Sequence, residues 1–353
     1  MLKRWRQTVT LTDIVVWAIG LAIGIGVVYG SIQTIRAAKY TPEQWINLTI
    51  DGLKLGEIYA LIALGYTLVY GILRMINFAH SEIFMSGPFT AVFLAKYLNS
   101  IGFYNTHPII SLILITLLSA TVAATLAIML ERIAYRPLRF APRLVPLITA
   151  IGASFFLQYT FRGLYGNDPE TYPTFDFLDG VFMIGPIPVP KTDALVIVAA
   201  VVMMLILYGI VQYTKIGKAM RSVSEDKETA LLMGINVDRV IVFTFTLGGI
   251  SAGVAGILYA LIFHQVDAFI GFIPGLKAFT AAVLGGICNV VGAWLGGTLL
   301  GLLESLGPNL FLSGLGVPAA NQLKDAIAFT ILVFILIFRP QGLMGERIGK
   351  AKM

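Results

Sequence analysis

Residues 278–304 read AFTAAVLGGICNVVGAWLGGTLLGLLE, and how often this stretch crosses a bilayer decides the architecture. Its apolar length suffices for a single crossing, which needs roughly 20 residues. Its centre, Gly285-Gly286-Ile287-Cys288-Asn289, has turn composition instead, and divides it between an apolar run at 270–287 and another at 290–312. Working outward, clear apolar stretches run over 14–35, 52–73, 108–130, 144–161, 194–213, 241–263 and 322–338, with an interrupted one at 76–98. Ten crossings place both termini on one side. That side then holds Lys3, Arg4, Arg6, Arg74, Arg132, Arg136, Arg139, Arg143, Lys215, Lys218, Arg221, Lys227, Arg239, Arg339, Arg347, Lys350 and Lys352, whereas the other holds Arg36, Lys39 and Lys191. Basic residues mark the cytoplasmic face, so the termini are expected there. A single crossing at 278–304 would put the basic C-terminus outside.

Composition leads to the same class. Of 353 residues, 57% are apolar and 12% charged, against roughly 45–50% and 25% in globular chains, and the mean hydropathy is +0.84. A surface that apolar needs lipid as solvent, and the polar remainder is too scattered for a separate catalytic domain. The single cysteine, Cys288, excludes an internal disulfide, and its apolar setting predicts a buried thiol. His80, His107 and His264 are too dispersed for a zinc motif. The basic balance, +6, sits at span ends, where it reads as a topology signal and not as a nucleic-acid surface. The basic start and apolar run resemble a secretory signal, but no small-residue cleavage site stands out after Gly30, so an uncleaved anchor is expected.

The expected fold is therefore an all-α polytopic membrane protein of about ten transmembrane helices. Spans 52–73, 76–98, 108–130 and 144–161 start from outside, and 241–263, 270–287, 290–312 and 322–338 from inside. In each half a glycine-rich span precedes a polar, interrupted one, the pattern of inverted-topology halves with a pathway between them. The expected organisation is an N-terminal extension with an extra helix (1–45) and a main membrane domain (46–353). The latter divides into a first half (52–163), a connector with a cytoplasmic loop (193–240) and a second half (241–338). Glycines at four-residue spacing, Gly52/Gly56, Gly249/Gly253, Gly292/Gly296 and Gly297/Gly301, predict close helix packing.

Ionisable groups within spans are costly and so are functional candidates: Glu57, His80, Glu82, Lys277 and Glu304. Lys54, Lys96, Lys324 and Asp325 lie near span ends, within snorkelling reach. Asn77, His80 and Glu82 crowd the mouth of an interrupted span. They either line a pathway or satisfy broken backbone, and Tyr59, Tyr66 and Lys277 are further pathway candidates. Gly249-Ile-Ser-Ala-Gly253 matches G-x-S-x-G, but it lies within a helical span where a nucleophile elbow cannot form. No Walker A sequence is present, so any ATP must be bound by another chain. In the cytoplasmic loop, Ser222 and Glu225 have capping-box spacing and Gly234 is placed to end the helix they open. Ala230, Leu231 and Met233 on that helix suit docking into a partner's groove.

Asp51-Gly-Leu-Lys-Leu-Gly-Glu-Ile-Tyr through Ile76-Asn-Phe-Ala-His-Ser-Glu82 resembles permeases of branched-chain amino-acid ABC importers, the LivH kind. Glu131-Arg-Ile-Ala-Tyr-Arg-Pro, Leu232-Met-Gly-Ile-Asn-Val-Asp-Arg, Lys277-Ala-Phe-Thr-Ala-Ala-Val-Leu-Gly-Gly and Arg339-Pro-Gln-Gly extend the resemblance collinearly over about 48–345. Two features depart from it: the extra helix in 1–45, and Ser81, where glycine is usual. The resemblance implies a bacterial inner-membrane transport subunit with no cofactor of its own. It implies as partners a second related permease, two cytosolic ATPases that bind ATP and Mg, and a periplasmic substrate-binding protein. It also places Glu225, Ala230, Leu231, Met233 and Gly234 in the ATPase-contacting loop. Neutral and branched-chain amino acids are the implied cargo. Urea or short amides within the same family, and an ion-coupled secondary carrier outside it, are the alternatives.

Overall fold

The computed structural model describes residues 11–139, 141–142, 144–185, 187–339 and 341–345. Lys3, Arg4, Arg6, Arg143, Arg347, Lys350 and Lys352, counted above for topology, lie outside them. The helices are α1 (Leu11–Arg36), α2 (Pro42–Leu73), α3 (His80–Ser100), α4 (Phe103–Thr106), α5 (Pro108–Leu130), α6 (Leu144–Tyr165), α7 (Lys191–Tyr213), α8 (Lys215–Glu225), α9 (Lys227–Leu232), α10 (Val237–Phe263), α11 (Phe272–Gly285), α12 (Val290–Gly307) and α13 (Lys324–Phe338). Eight are long and apolar enough to cross a membrane; α3 is more polar, and the apolar α11 is only 14 residues long. Short antiparallel pairs accompany them: β1 (Glu170–Thr171) with β4 (Gln265–Val266), and the hairpin β2 (Val181–Ile184)–β3 (Ile187–Pro190).

The division of 278–304 is real. α11 ends at Gly285, and Asn289 caps α12 by accepting from the Gly292 N–H at 3.0 Å. Cys288 corrects the expectation of a buried thiol: it is exposed, with φ +88°. A turn tip between two crossings must leave the bundle, whatever the apolarity of its flanks.

Packing displays the two halves. α2 lies along α12 as α10 lies along α5; α3 packs on α5 and α10 as α11 packs on α12 and α2; and α2 crosses α10 between them. Exchanging α2, α3 and α5 with α10, α11 and α12 preserves this set. Both α2 and α10 end in a left-handed cap on a residue other than glycine, Arg74 and His264. Both α5 and α12 run into a single π turn, Glu131–Tyr135 and Pro308–Leu312. The spaced glycines form the seams. A Cβ on Gly56 would stand 2.9 Å from Thr298 Cα, and one on Gly253 would stand 2.7 Å from Ala120 Cα. Lipid supplies no hydrophobic drive between helices, so close backbone approach must provide the attraction.

α2 is 32 residues, ~48 Å at 1.5 Å per residue, because it starts ten residues before the apolar run. Thr41 and Gln44 form a capping box there, with Pro42 at the first position. The boundary at 45/46 therefore falls within its first turn. α1 touches the rest mainly near its C-terminal end, where Gly30 meets Phe311 and Gly314, and Tyr40 just beyond it donates to Asn309 Oδ1 at 3.0 Å. Trp17, Leu21 and Ile25 are exposed, as befits side chains in lipid.

The loop between α7 and α10 corrects another expectation. No helix opens at Ser222. α8 runs through it, capped by the Thr214 hydroxyl, and the break comes at Asp226, which caps α9 by accepting from the Glu228 and Thr229 N–H groups. These bonds and the Thr229 hydroxyl hold the Asp226 carboxyl below its usual pKa, the hydroxyl contributing most. Their support for α9 is present above the ordinary carboxylate range and lost as pH falls through the depressed value. Gly234, φ +84°, ends α9 as expected, with the Ile235 N–H donating to Ala230 O at 3.0 Å.

Candidate functional site: two helix N-termini meeting inside the bundle

After Arg74 the chain turns back along α2, because the His80 ring lies against Gly65 and Gly248. Gly65 is eight residues before the end of α2, ~12 Å into the bundle. α11 likewise begins inside: Cβ atoms on Gly271 and Gly275 would strike Ser81 in the first turn of α3. The N-termini of α3 and α11 thus abut between the halves, a juxtaposition that favours negative charge.

Asn77, His80 and Glu82 gather here and are buried. Asn77 Oδ1 accepts from the Tyr135 hydroxyl at 3.0 Å. Glu82 Oε1 accepts from Ser154 Oγ at 3.1 Å and Ser81 Oγ at 3.3 Å, a carboxylate in the first turn of its helix. The His80 ring stands edge-on to Tyr66, centroids 4.9 Å apart, with Nε2 unpartnered. Asn77 also lines a narrow cleft with Tyr66, Tyr70 and Phe279. Phe279 closes on Tyr66 and Phe78 at centroid distances of 6.1 and 5.9 Å.

Tyr59 and Lys277 belong to a second cluster. Lys277 Nζ reaches Glu304 Oε1 and Asp325 Oδ1, each at 2.7 Å, and the Tyr59 hydroxyl points at Glu304 at 3.5 Å. Asp325, read as a snorkelling end residue, is a working partner of that lysine. Lys54 also pairs, with Asp193 at 3.0 Å, and Lys96 pairs with Glu170. Glu57 stands apart, accepting from Trp294 Nε1 at 2.8 Å and Thr298 Oγ1 at 3.1 Å. Ser251 Oγ donates to carbonyl oxygens of Leu61 in α2 and Gly248 in α10, both at 3.1 Å, so it serves the packing of α10 on α2.

The α8–α9 element is wired to the first cluster. Arg74 donates to Ser224 O at 3.1 Å and approaches Cys288 Sγ at 3.7 Å, joining the loop, the re-entrant turn and the α11–α12 turn. Of the predicted contact residues, Glu225, Leu231, Met233 and Gly234 are exposed, but Ala230 is turned inward and buried. Leu232, absent from the prediction, is 86% exposed and Met233 78%. Exposure of adjacent apolar residues follows from the short, ended α9. Tyr135, Ser154 and Phe279 were also missed, since nothing in their local sequence marks a partner distant in the chain.

The family model described as branched-chain amino acid transport system / permease component matches residues 48–336. The chain belongs to that family. Within it, the high-affinity branched-chain amino acid transport system permease protein BraD of Pseudomonas aeruginosa is 37% identical over 307 residues, covering 86% of this chain and 96% of that protein. The corresponding LivH of Escherichia coli is 36% identical with the same coverage. The autoinducer 2 import system permease protein LsrC of Yersinia enterocolitica is 32% identical over 155 residues, 40% of this chain and 38% of that one. No solved structure matches. This permease is thus an all-α transport subunit, with α1 lying ahead of the matched region.

Proposed function

We propose that this permease is the membrane subunit of an ATP-driven importer that moves branched-chain and other neutral amino acids into the cytoplasm of a bacterium, across its inner membrane. ATP and Mg bind to two separate cytosolic chains, a second related permease completes the pathway, and an external binding protein delivers the cargo. Both termini face the cytoplasm. The observation that carries this reading is the apolar tip Leu231-Leu232-Met233, raised on a capped two-helix element and tied through Arg74 to the turn holding Asn77 and His80. A motor seated on that tip pulls on the re-entrant segment, and the aromatic cleft beside it opens or closes. Abutting helix N-termini suit the carboxylate end of an amino acid.

Proteoliposomes containing the assembled complex, binding protein outside and ATP inside, should accumulate leucine. Leucine and valine should compete for uptake and urea should not. Accumulation by this chain alone without ATP would overturn the reading in favour of an ion-coupled carrier.

Reversing Glu225 and Glu228 to lysine, or Leu232 to aspartate, should reduce co-purification of the ATPases about tenfold or more, as expected for anchors at the centre of an interface. Unchanged recovery would remove α9 from the coupling role. Cys288, the chain's single cysteine, tests orientation. A membrane-impermeant maleimide should label inside-out vesicles and leave intact spheroplasts unlabelled; the reverse pattern would invert the topology.

A further inference from the structure

We infer that a cleft at the cytoplasmic ends of α5 and α10 is a binding site for the headgroup of an anionic phospholipid. The cleft encloses about 450 Å³, within the range that holds a small ligand. Arg132 and Arg136, carried on the π turn after α5 and the residue following it, form one wall with Arg239 from the first turn of α10. Asp238 lies among them but is already shared: Arg136 holds it at 2.8 Å, and Arg139 bridges it to the buried Glu131. Four guanidinium groups thus face two carboxylates. Among the described residues, neither Arg132 nor Arg239 has a carboxylate within ion-pair distance, and both are exposed. Guanidinium pairs match phosphate oxygens in geometry as well as charge.

What lies beneath the charges selects lipid over a soluble anion. One turn along α10 from Arg239 come Val242 and Phe243, with Ile216 of α8 opposite, so the cleft changes from cationic to apolar along the helix axis. A phospholipid has that same gradient. The flanking Met129, Ile133 and Tyr213 are exposed apolar or aromatic side chains, as at a bilayer surface. Basic clefts between transmembrane helices at the cytoplasmic leaflet are suited to acidic headgroups. The inference rests on the orientation proposed above, which Cys288 labelling tests separately.

The experiment measures thermal unfolding of the purified full-length chain in neutral detergent. Phosphatidylglycerol, phosphatidylcholine or inorganic phosphate is titrated in at matched concentrations. Phosphatidylglycerol should raise the melting temperature and the other two should not. Arg132→Gln with Arg239→Gln should weaken the apparent affinity for phosphatidylglycerol about tenfold or more, two charges being removed at the leaflet surface. A control removing the same charge elsewhere, Arg36→Gln with Arg339→Gln, should leave it unchanged, and Arg132→Lys with Arg239→Lys should retain most of it. Should the glutamine pair fail to fold, Thr246→Trp, at a further lining residue one turn beyond Val242, fills the cleft with the charges intact and should also weaken the response. Equal shifts with both lipids, an unchanged response in the glutamine pair or in Thr246→Trp, or a full shift with inorganic phosphate would overturn the site. So would a glutamine pair that loses the ATPases yet keeps its lipid response, because the cleft would then be a protein contact.

Discussion

Gly301→Ala is expected to destabilise the permease by about 2–3 kcal/mol, the upper range for overpacking a filled site. Gly301→Leu should leave no monodisperse protein to purify. A Cβ at 301 would overlap Gly56 N and Cα and the Gly52 carbonyl oxygen, all of them backbone atoms of α2. No rotamer change relieves such a clash. It can be avoided only by separating α2 from α12, and that seam joins the two halves at their most extensive helix contact. Gly71 lies in the same helix, α2, but a Cβ there meets nothing within 4 Å, so Gly71→Ala should be neutral or slightly stabilising, alanine being the better helix former. Thermal unfolding of the purified variants decides the matter. If Gly301→Ala and Gly71→Ala melt together, the close seam between the halves is wrong.

Lys277→Met should cost about 3–5 kcal/mol, because it strands the Glu304 carboxylate inside the bundle. That carboxylate is 2% exposed, and Lys277 is its near cation at 2.7 Å; the next, Lys324, is 3.9 Å away. Removing the charge as well, in Lys277→Met with Glu304→Gln, should restore much of the lost stability, since replacing a whole buried pair is often close to neutral. The same pair of variants separates two roles for Lys277. If the double variant folds and transports, the lysine is a strut between α11, α12 and α13. If it folds but does not transport, Lys277 acts on the cargo as well. A single variant as stable as the wild type would show that the ion pair contributes nothing to the fold.

Much of the architecture was legible in the residues. Hydrophobic length marked the eight helices long and apolar enough to cross a membrane, and the turn at Gly285–Asn289 separated α11 from α12, because a bilayer imposes the same length rule on every span. Four-residue glycine spacing marked seams that the fold contains. The mistakes share a cause. Ser222 and Glu225 had the right spacing for a cap, but Thr214 opened the helix earlier and Asp226 broke it later. The apolar neighbours of Cys288 predict burial, but its exposure is set by the turn it occupies. The apolar run begins at Gly52 because the first ten residues of α2 are too polar to read as membrane, although Thr41 and Gln44 carry the capping signal.

The candidate site divides in the same way. Asn77, His80 and Glu82 stood out because polar groups are expensive in lipid, a cost that composition alone reveals. Whether such a group faces a pathway or pairs with a neighbour depends on residues far away in the chain. Tyr135 donates to Asn77 Oδ1, Ser154 donates to Glu82 Oε1, and Asp325 and Glu304 hold Lys277. The sequence by itself determined the solvent of this protein and its apolar segments, since these depend on each segment's free energy in lipid, and it determined kinship through collinear motifs. Only the tertiary structure decided that α3 and α11 start inside the bundle, and that Tyr59 and Lys277 stand apart from His80. Those outcomes depend on which helices touch, and backbone contact between distant glycines leaves no local trace beyond the glycines themselves.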